Sequence, residues 1–83
     1  MNYIEQLTKF YSTLDYKPLS TNAIAMYQYL LHMAYALNWP EYFKVSNNIL
    51  QSKLNFSKTT LSTLQRARNE LIQNGYISYK KRD

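Results

Sequence analysis

The fold is indicated most clearly by SKTTLSTLQRARNELIQNGYISY, residues 57–79. Leucine and alanine recur at steps of three and four after Ser57, which is a good helix N-cap, so the spacing predicts a long helix. Gly75, the only glycine of the chain, lies where the left-handed C′ residue of that helix belongs. The alternating residues after it predict a strand over 76–79.

The residues before this helix predict a shorter helix and a strand. Ser46 is a good N-cap for NNILQSKL, which predicts a helix near 47–54, joined to the long helix by a tight turn at Asn55 and Phe56. EYFKV, residues 41–45, is aromatic and β-branched, and it predicts a brief strand. Strand, helix, turn, helix, strand and basic tip is the order of a winged helix-turn-helix.

The N-terminal half predicts two further helices. The first covers 2–14, where apolar residues recur at helical spacing. The second covers roughly 21–38, after capping hydroxyls at Ser20 and Thr21, and has the strongest helical pattern. Its apolar stripe is too wide for a small domain to cover, so we expect self-association. The residues off its main line are Met26, Tyr29, Met33 and Tyr35. The self-association residues that we predict are Ile4, Leu7, Tyr29 and Met33.

These elements predict one domain over residues 1–83. Its fold class is mainly α with a small β component: a winged helix-turn-helix of four helices plus short strands, with an incomplete wing. Residues 1–40 hold the N-terminal helices for self-association, and residues 41–83 hold the helix-turn-helix and the first wing strand. A chain this short buries little of its unfolded surface, which also favours a partner copy.

The positive charge is concentrated in one half of the chain. The formal net charge is +5, and residues 44–83 carry eight lysines and arginines against two acids, whereas residues 1–43 carry two against three. Such an asymmetry is typical of a surface that meets a polyanion. A solvated basic surface without a ligand is the alternative interpretation.

The composition excludes several kinds of site. The chain has no cysteine and one histidine, His32, so a thiolate or multi-histidine metal site cannot form. The acids are too few and scattered for paired-carboxylate chemistry, and no glycine-rich phosphate loop is present. We expect no enzyme, catalytic residue, metal or cofactor. Without an apolar run of about 20 residues or a signal peptide, we expect a cytoplasmic protein with no membrane partner.

Two stretches carry a resemblance to a known family. LSTNAIAMYQYLLHMAYALNWPEYF at 19–43 and LQRARNELIQNGYISYKK at 64–81 resemble the N-terminal winged-helix domain of DnaD-like primosome proteins, phage replisome organisers and related plasmid replication initiators. The resemblance covers about residues 19–81. It implies a domain that oligomerises, commonly as a homodimer, and binds DNA during replication initiation or restart, with replication proteins such as a helicase loader as further partners.

The chain departs from this family in two places. It carries a few more residues between Ser57 and Arg66 than the family pattern has. Relatives also continue from the basic tip into a second wing strand, whereas this chain stops there. We expect either a fragment of a longer protein or a short protein with half a wing.

The long helix supplies the candidate DNA-contacting residues. Its predicted buried line is Leu61, Leu64, Ala67 and Leu71. Side chains in the first half of such a helix meet base edges, where hydroxyls and arginine can form hydrogen bonds. The base-contact candidates are Lys58, Thr59, Ser62 and Arg66. The phosphate-contact candidates are Lys44, Lys53, Lys80, Lys81 and Arg82. Arg68 lies close to the buried line and receives no role.

Three functions share this fold. The first is a DNA-binding, oligomerising domain of a replication initiator or replisome organiser. The second is a protein-interaction module that oligomerises without DNA affinity of its own. The third is a winged-helix transcriptional regulator. Stacking of aromatic residues on single-stranded DNA is a further possibility, but helical spacing explains most of these residues, including Tyr27, as core.

Overall fold

The computed structural model describes residues 2–54 and 61–78. Its helices in this part of the chain are α1 (Tyr3–Leu14), α2 (Thr21–Ala36), α3 (Asn47–Leu54) and α4 (Leu61–Gln73). The mainly helical prediction is therefore confirmed. The predicted turn at Asn55 and Phe56, the Ser57 cap and the basic tip lie outside the described residues.

Polar side chains fix where three of the helices begin. Asn2 caps α1 by accepting a first-turn backbone N–H at 2.8 Å, and Ser20 caps α2 in the same way at 3.2 Å. Ser46 caps α3 at 3.1 Å. Each side chain accepts from a backbone N–H that has no partner within its helix. Of the two hydroxyls predicted to cap α2, Ser20 is the cap and Thr21 is the first helical residue. The predicted cap at Ser46 is confirmed.

The end of α4 has the geometry that its glycine predicts. Gly75 has φ +78°, and the N–H of Tyr76 donates to the carbonyl of Leu71 at 2.9 Å. A left-handed residue followed by this backward hydrogen bond is a Schellman motif. Gly75 has no Cβ to oppose the left-handed conformation, so α4 stops here.

The end of α2 uses the same motif without a glycine. Asn38 has φ 64°, and the N–H of Trp39 donates to the carbonyl of Ala34 at 2.7 Å. Asparagine tolerates the left-handed region better than most residues, which makes Asn38 a suitable C′ residue. As a result α2 ends at Ala36, slightly before the predicted boundary.

The core lies where α3 and α4 pack on α2. Every other helix packs against α2, and α3 also packs against α4. The core cluster consists of Ala23, Met26, Leu50, Leu64, Ala67 and Leu71, none more than 2% exposed. The predicted buried line of α4 is thereby confirmed at Leu64, Ala67 and Leu71, while the side chain of Leu61 lies outside the described part.

An aromatic group joins α1 to this core. The ring of Phe10, which is 2% exposed, stacks on Tyr27 with centroids 4.0 Å apart and an interplanar angle of 10°. Tyr76, just after α4, makes T-shaped ring contacts with Phe10 and Tyr27, with centroid distances of 5.3 Å and 6.0 Å. The Tyr76 hydroxyl also donates to the carbonyl of Lys17 at 2.8 Å. The end of α4 is therefore attached to the loop between α1 and α2.

Two parts of the predicted fold differ from the structure. Met26, which the sequence places on the uncovered side of the second helix, is fully buried. The reason is that three helices pack around α2, so more of its circumference is covered than the sequence pattern predicts. No β-strand occurs within 2–54 and 61–78, so the strand predicted at 41–45 is not observed. A strand requires a hydrogen-bonded partner, and its candidate partner, 76–79, lies partly outside the described residues.

Candidate nucleic-acid interface

The outer side of α4 is polar along its length. Residues turn by about 100° each along a helix, so some side chains must project opposite the buried line. We call these exposed residues the α4 polar face: Ser62, Gln65, Arg66, Asn69 and Gln73. Their hydroxyl, amide and guanidinium groups are the donors and acceptors that read base edges in the major groove.

The only acidic residue of α4 points away from this face. One oxygen of the Glu70 carboxylate accepts the backbone N–H of Ser20 at 2.5 Å, and the other accepts the Ser20 hydroxyl at 2.8 Å. Ser20 caps α2, so the carboxylate lies at a helix N-terminus, where the helix dipole favours negative charge. The α4 polar face is consequently free of carboxylates.

Arg68 has a structural contact. It is half-buried, and its Nη2 donates to Oδ1 of Asn47, the first residue of α3, at 2.8 Å. This hydrogen bond ties the middle of α4 to the start of α3. Arg66 is therefore the one positively charged residue of the α4 polar face.

The structure brings together two of the four predicted base-contact residues. Ser62 and Arg66 are both exposed and are four residues apart, so they lie on one side of α4. Lys58 and Thr59 lie outside the described residues. Gln73 has no predicted role. It follows Arg66 and Asn69 at steps of three and four residues, so it extends the same face by one turn.

The predicted phosphate contacts fall into two groups. Lys44, shortly before α3, and Lys53, in the last turn of α3, are exposed. Lys80, Lys81 and Arg82 lie outside the described residues. Within the described parts of 44–78, four cationic side chains stand against the single carboxylate of Glu70. Such an excess of positive charge attracts a polyanion.

The predicted self-association residues do not form one surface. Tyr35 packs edge-on against Tyr3 of α1 at 5.4 Å, and Met33 is two residues away, hence about 200° around α2. Tyr29 is one turn before Met33 and packs against the core cluster. Tyr29 and Met33, the two self-association residues predicted on α2, therefore face away from α1.

The α1 candidates lie on another side. Ile4 is 71% exposed and Leu7 is half-buried. Tyr35, at 57%, and Leu37, at 49%, are exposed at the same end of the molecule, where the start of α1 meets the end of α2. This apolar end of Ile4, Tyr35 and Leu37 was only partly predicted, because the pairing of Tyr3 with Tyr35 is not readable from either helix alone.

Other kinds of site find little support in the described residues. They contain no group of three or more acidic or histidine side chains that could hold a metal. His32 is exposed, and its ring lies 6.3 Å from that of Tyr29. None of the helices described is both long and apolar enough to cross a bilayer.

Comparisons with known proteins gave no match: no family model, no curated protein and no solved structure matched the chain. The choice of function therefore depends on the geometry and charge of its own residues.

Proposed function

We propose that this chain is a DNA-binding, self-associating domain of the winged helix-turn-helix type, with α4 entering the major groove of duplex DNA. The observation that carries the proposal is the α4 polar face, which is exposed over about three helical turns and free of carboxylates. A major groove is wide enough to admit an α-helix. The contact between α3 and α4 supports the α4 helix from behind, as in helix-turn-helix proteins.

Arg66 and Ser62 are the central base-contact residues of this proposal. An arginine guanidinium can donate two hydrogen bonds to the O6 and N7 atoms of guanine, and a serine hydroxyl can bond to either base of a pair. The amides of Gln65 and Asn69 can pair with adenine in the same groove. Lys58 and Thr59 would extend these contacts toward the start of the helix.

Lys44 and Lys53 would contact phosphates. Neutralising phosphates releases bound counterions, so it strengthens binding without reading sequence. Lys80, Lys81 and Arg82 would add to this term from the basic tip of the wing. The result is a salt-sensitive interaction in which lysines orient the domain on the DNA backbone and α4 reads the base sequence.

The resemblance to DnaD-like proteins supports replication initiation as the setting. In this role the chain would act in the cytoplasm as a binding domain without catalysis or cofactor, with replication proteins such as a helicase loader as further partners. A transcriptional regulator would have the same fold, and a specific operator would distinguish it.

Salt-titrated fluorescence anisotropy tests the DNA interface. Duplexes selected from a random pool and a mixed-sequence duplex would be compared, together with the matching single strands. Arg66→Ala should weaken binding to the selected duplex by about 5- to 150-fold, since a bidentate base contact is worth ~1–3 kcal/mol. It should weaken binding to the mixed-sequence duplex less.

Two variants serve as controls for charge alone. Lys53→Ala should weaken all duplexes equally and reduce the slope of log affinity against log salt by about 1. Lys9→Ala removes one positive charge from the exposed side of α1, which is not part of the α4 polar face. It should change neither the duplex affinity nor the slope against salt. Equal losses from Lys9→Ala and Arg66→Ala, or no duplex binding at about 50 mM salt, would refute the interface.

The apolar end of Ile4, Tyr35 and Leu37 favours self-association as the second part of the function. Stable interfaces bury about 800 Å² per partner, and large exposed apolar side chains are the usual core of such a surface. Ile4→Glu and Tyr35→Glu should each reduce the sedimentation mass to that of a monomer. Thr8→Glu, also exposed on α1, is the control.

The same measurement tests the surface predicted from sequence, through Tyr29→Glu and Met33→Glu. If these variants dissociate the assembly and Ile4→Glu does not, the side of α2 that carries Tyr29 and Met33 is the interface. If the chain sediments as a monomer at every concentration, self-association is not one of its functions. A stable dimer without DNA affinity would make the protein-interaction module the correct assignment.

A further inference from the structure

Asn74 and Gly75 form an asparagine–glycine pair directly after α4. Gly75 is the only glycine of the chain, so this is the only such pair in the sequence. Asparagine is thermolabile, because the backbone nitrogen of the next residue can attack the Cγ atom of its side-chain amide. Glycine has no Cβ to obstruct this attack. The pair is therefore the position of the chain where deamidation is chemically easiest.

The reaction needs water but no enzyme and no oxidant. A bond forms between the backbone nitrogen of Gly75 and Cγ of Asn74, and the bond from Cγ to Nδ2 breaks. The proton of the attacking nitrogen leaves with the amide group as ammonia, and a cyclic succinimide remains. Water then adds to either carbonyl carbon of the ring, which leaves aspartate or isoaspartate at position 74.

The folded structure holds both reacting groups in hydrogen bonds. The N–H of Gly75, which supplies the attacking nitrogen, donates to the carbonyl of Ile72 at 3.0 Å. Nδ2 of Asn74, the leaving group, donates to the carbonyl of Glu70 at 2.8 Å. The attack requires the Gly75 nitrogen to lose its proton and the Asn74 amide to leave. Both hydrogen bonds therefore oppose the reaction.

Contacts with the loop between α1 and α2 keep this end of α4 closed. The Tyr76 hydroxyl donates to the carbonyl of Lys17 at 2.8 Å, and Nζ of Lys17 donates to the backbone carbonyl of Asn74 at 3.3 Å. The ring of Tyr76 also packs against Phe10 and Tyr27. Local opening of a segment costs the free energy of the contacts that it breaks. These contacts therefore limit how often the pair is open to reaction.

We propose that Asn74 is a deamidation site that the folded end of α4 protects, and that the product in turn loosens this end. Deamidation replaces the donor Nδ2 with a carboxylate oxygen beside the Glu70 carbonyl, and two acceptors cannot form a hydrogen bond. It also places a negative charge at a helix C-terminus, which the helix dipole disfavours. The Lys17 ammonium offsets part of this charge. Isoaspartate in addition adds a methylene group to the backbone before Gly75, which disrupts the Schellman motif.

Peptide mass spectrometry measures the reaction. The chain is incubated at mildly alkaline pH, folded in buffer and unfolded in guanidinium chloride, and aspartate and isoaspartate at position 74 are quantified over time. In the unfolded chain Asn74 should react faster than every other asparagine. In the folded chain it should react at least about tenfold more slowly, because each hydrogen bond that must open lowers the open population about fivefold. Gly75→Ala should slow the reaction of the unfolded chain, since its Cβ obstructs the attack.

Tyr76→Phe tests whether the closed end of α4 controls the rate. This variant loses the hydroxyl that donates to Lys17, so the folded chain should deamidate about fivefold faster, while the unfolded chain should react at the usual rate. Lys17→Ala removes the second contact and should act in the same direction. Tyr16→Phe loses the hydroxyl of a side chain that is 85% exposed and should change neither rate.

Asn74→Asp represents one product and tests its effect on the fold. Hydrogen exchange at the amides of Gly75 and Tyr76 should be faster in this variant than in the unaltered chain. Asn69→Asp adds the same charge on the exposed side of α4 and should leave that exchange unchanged. Equal deamidation of the folded and unfolded chain, equal rates in Tyr76→Phe, Lys17→Ala and Tyr16→Phe, or unchanged exchange in Asn74→Asp would overturn the proposal. These outcomes are independent of the DNA-binding proposal, because no DNA is present.

Discussion

The two central helices, α2 and α4, pack against each other but use their surfaces differently. The α2 helix contacts all three of the others and is apolar around most of its circumference, so most of it serves the core. The α4 helix contacts α2 and α3 and buries only one stripe. Its opposite side is polar and exposed. Both helices therefore contribute to the core, but only α4 also has a polar face available for a ligand.

The largest predicted effect is the difference in unfolding free energy between a core substitution in α2 and a substitution on the α4 polar face. Met26→Ala removes a fully buried side chain of α2 and should lower the free energy of unfolding by ~2–5 kcal/mol. Arg66→Ala, on the polar face of α4, should lower it by less than about 0.5 kcal/mol. Urea denaturation measures both. A similar loss from the two variants would mean that the α4 polar face is also structural.

The two Schellman motifs provide the next comparison. Gly75→Ala places a side chain at φ +78° and should cost about 1–2 kcal/mol, the usual cost of the left-handed conformation. The nearest atom to the new Cβ would be Nζ of Lys17 at 3.9 Å, so the loss should be conformational and not steric. The measurement is thermal unfolding of the variant.

The counterpart at the end of α2 is Asn38→Gly. It should raise the free energy of unfolding by up to about 1 kcal/mol, because glycine adopts the same conformation without strain. If Gly75→Ala and Asn38→Gly both proved neutral, the left-handed residues would not be the determinants of the helix ends.

The hydrogen bonds between Ser20 and Glu70 connect the two helices directly. Ser20→Ala removes the α2 cap and one of the two donors to Glu70, and it should cost about 1 kcal/mol. Glu70→Gln keeps the shape but removes the charge at the N-terminus of α2 and replaces one of the two accepting oxygens with a donating NH2 group, so it should cost about as much. Chemical denaturation of both variants and of the double variant gives their coupling energy. Strict additivity would show that the two side chains do not interact in solution.

The smallest effect should be a dependence of stability on alkaline pH. Burial raises the pKa of Tyr27 above its ordinary 10.0, and the neighbouring Tyr76 raises it further. The folded chain therefore keeps this proton at a pH where the unfolded chain has lost it. The stabilisation is complete below about pH 10 and is lost as the pH rises through the folded pKa.

Tyr27→Phe should reduce this loss of stability between about pH 9 and 11, as measured by urea denaturation at several pH values. Tyr16→Phe removes a hydroxyl from a side chain that is 85% exposed and serves as the control. An equal pH dependence in Tyr27→Phe and the unaltered chain would mean that Tyr27 is not the group responsible.

Local features of the fold were predictable because they depend on neighbours in sequence. The Ser20 and Ser46 caps, the left-handed Gly75 and the buried line of Leu64, Ala67 and Leu71 all follow from residues within one or two turns. The helix-forming stretches were located from the same information. The exposed positions of Ser62 and Arg66 were also predicted, since they lie opposite that line.

Features that depend on helix packing were not predictable. Met26 was assigned to the uncovered side of α2, because the number of helices packed on α2 cannot be counted from its own sequence. The apolar end around Ile4 and Tyr35 was missed in part for the same reason. The strand at 41–45 was predicted from residue type, but a strand forms only with a partner.

The sequence alone predicts the helices, the caps at Ser20 and Ser46, the glycine stop of α4 and the concentration of positive charge after residue 43. These properties arise from interactions between residues a few positions apart and from composition. The packing of the helices brings Glu70 to Ser20, fifty residues away in sequence, and Arg68 to Asn47. Both contacts require packed helices, and together they leave Arg66 as the cation of a carboxylate-free surface.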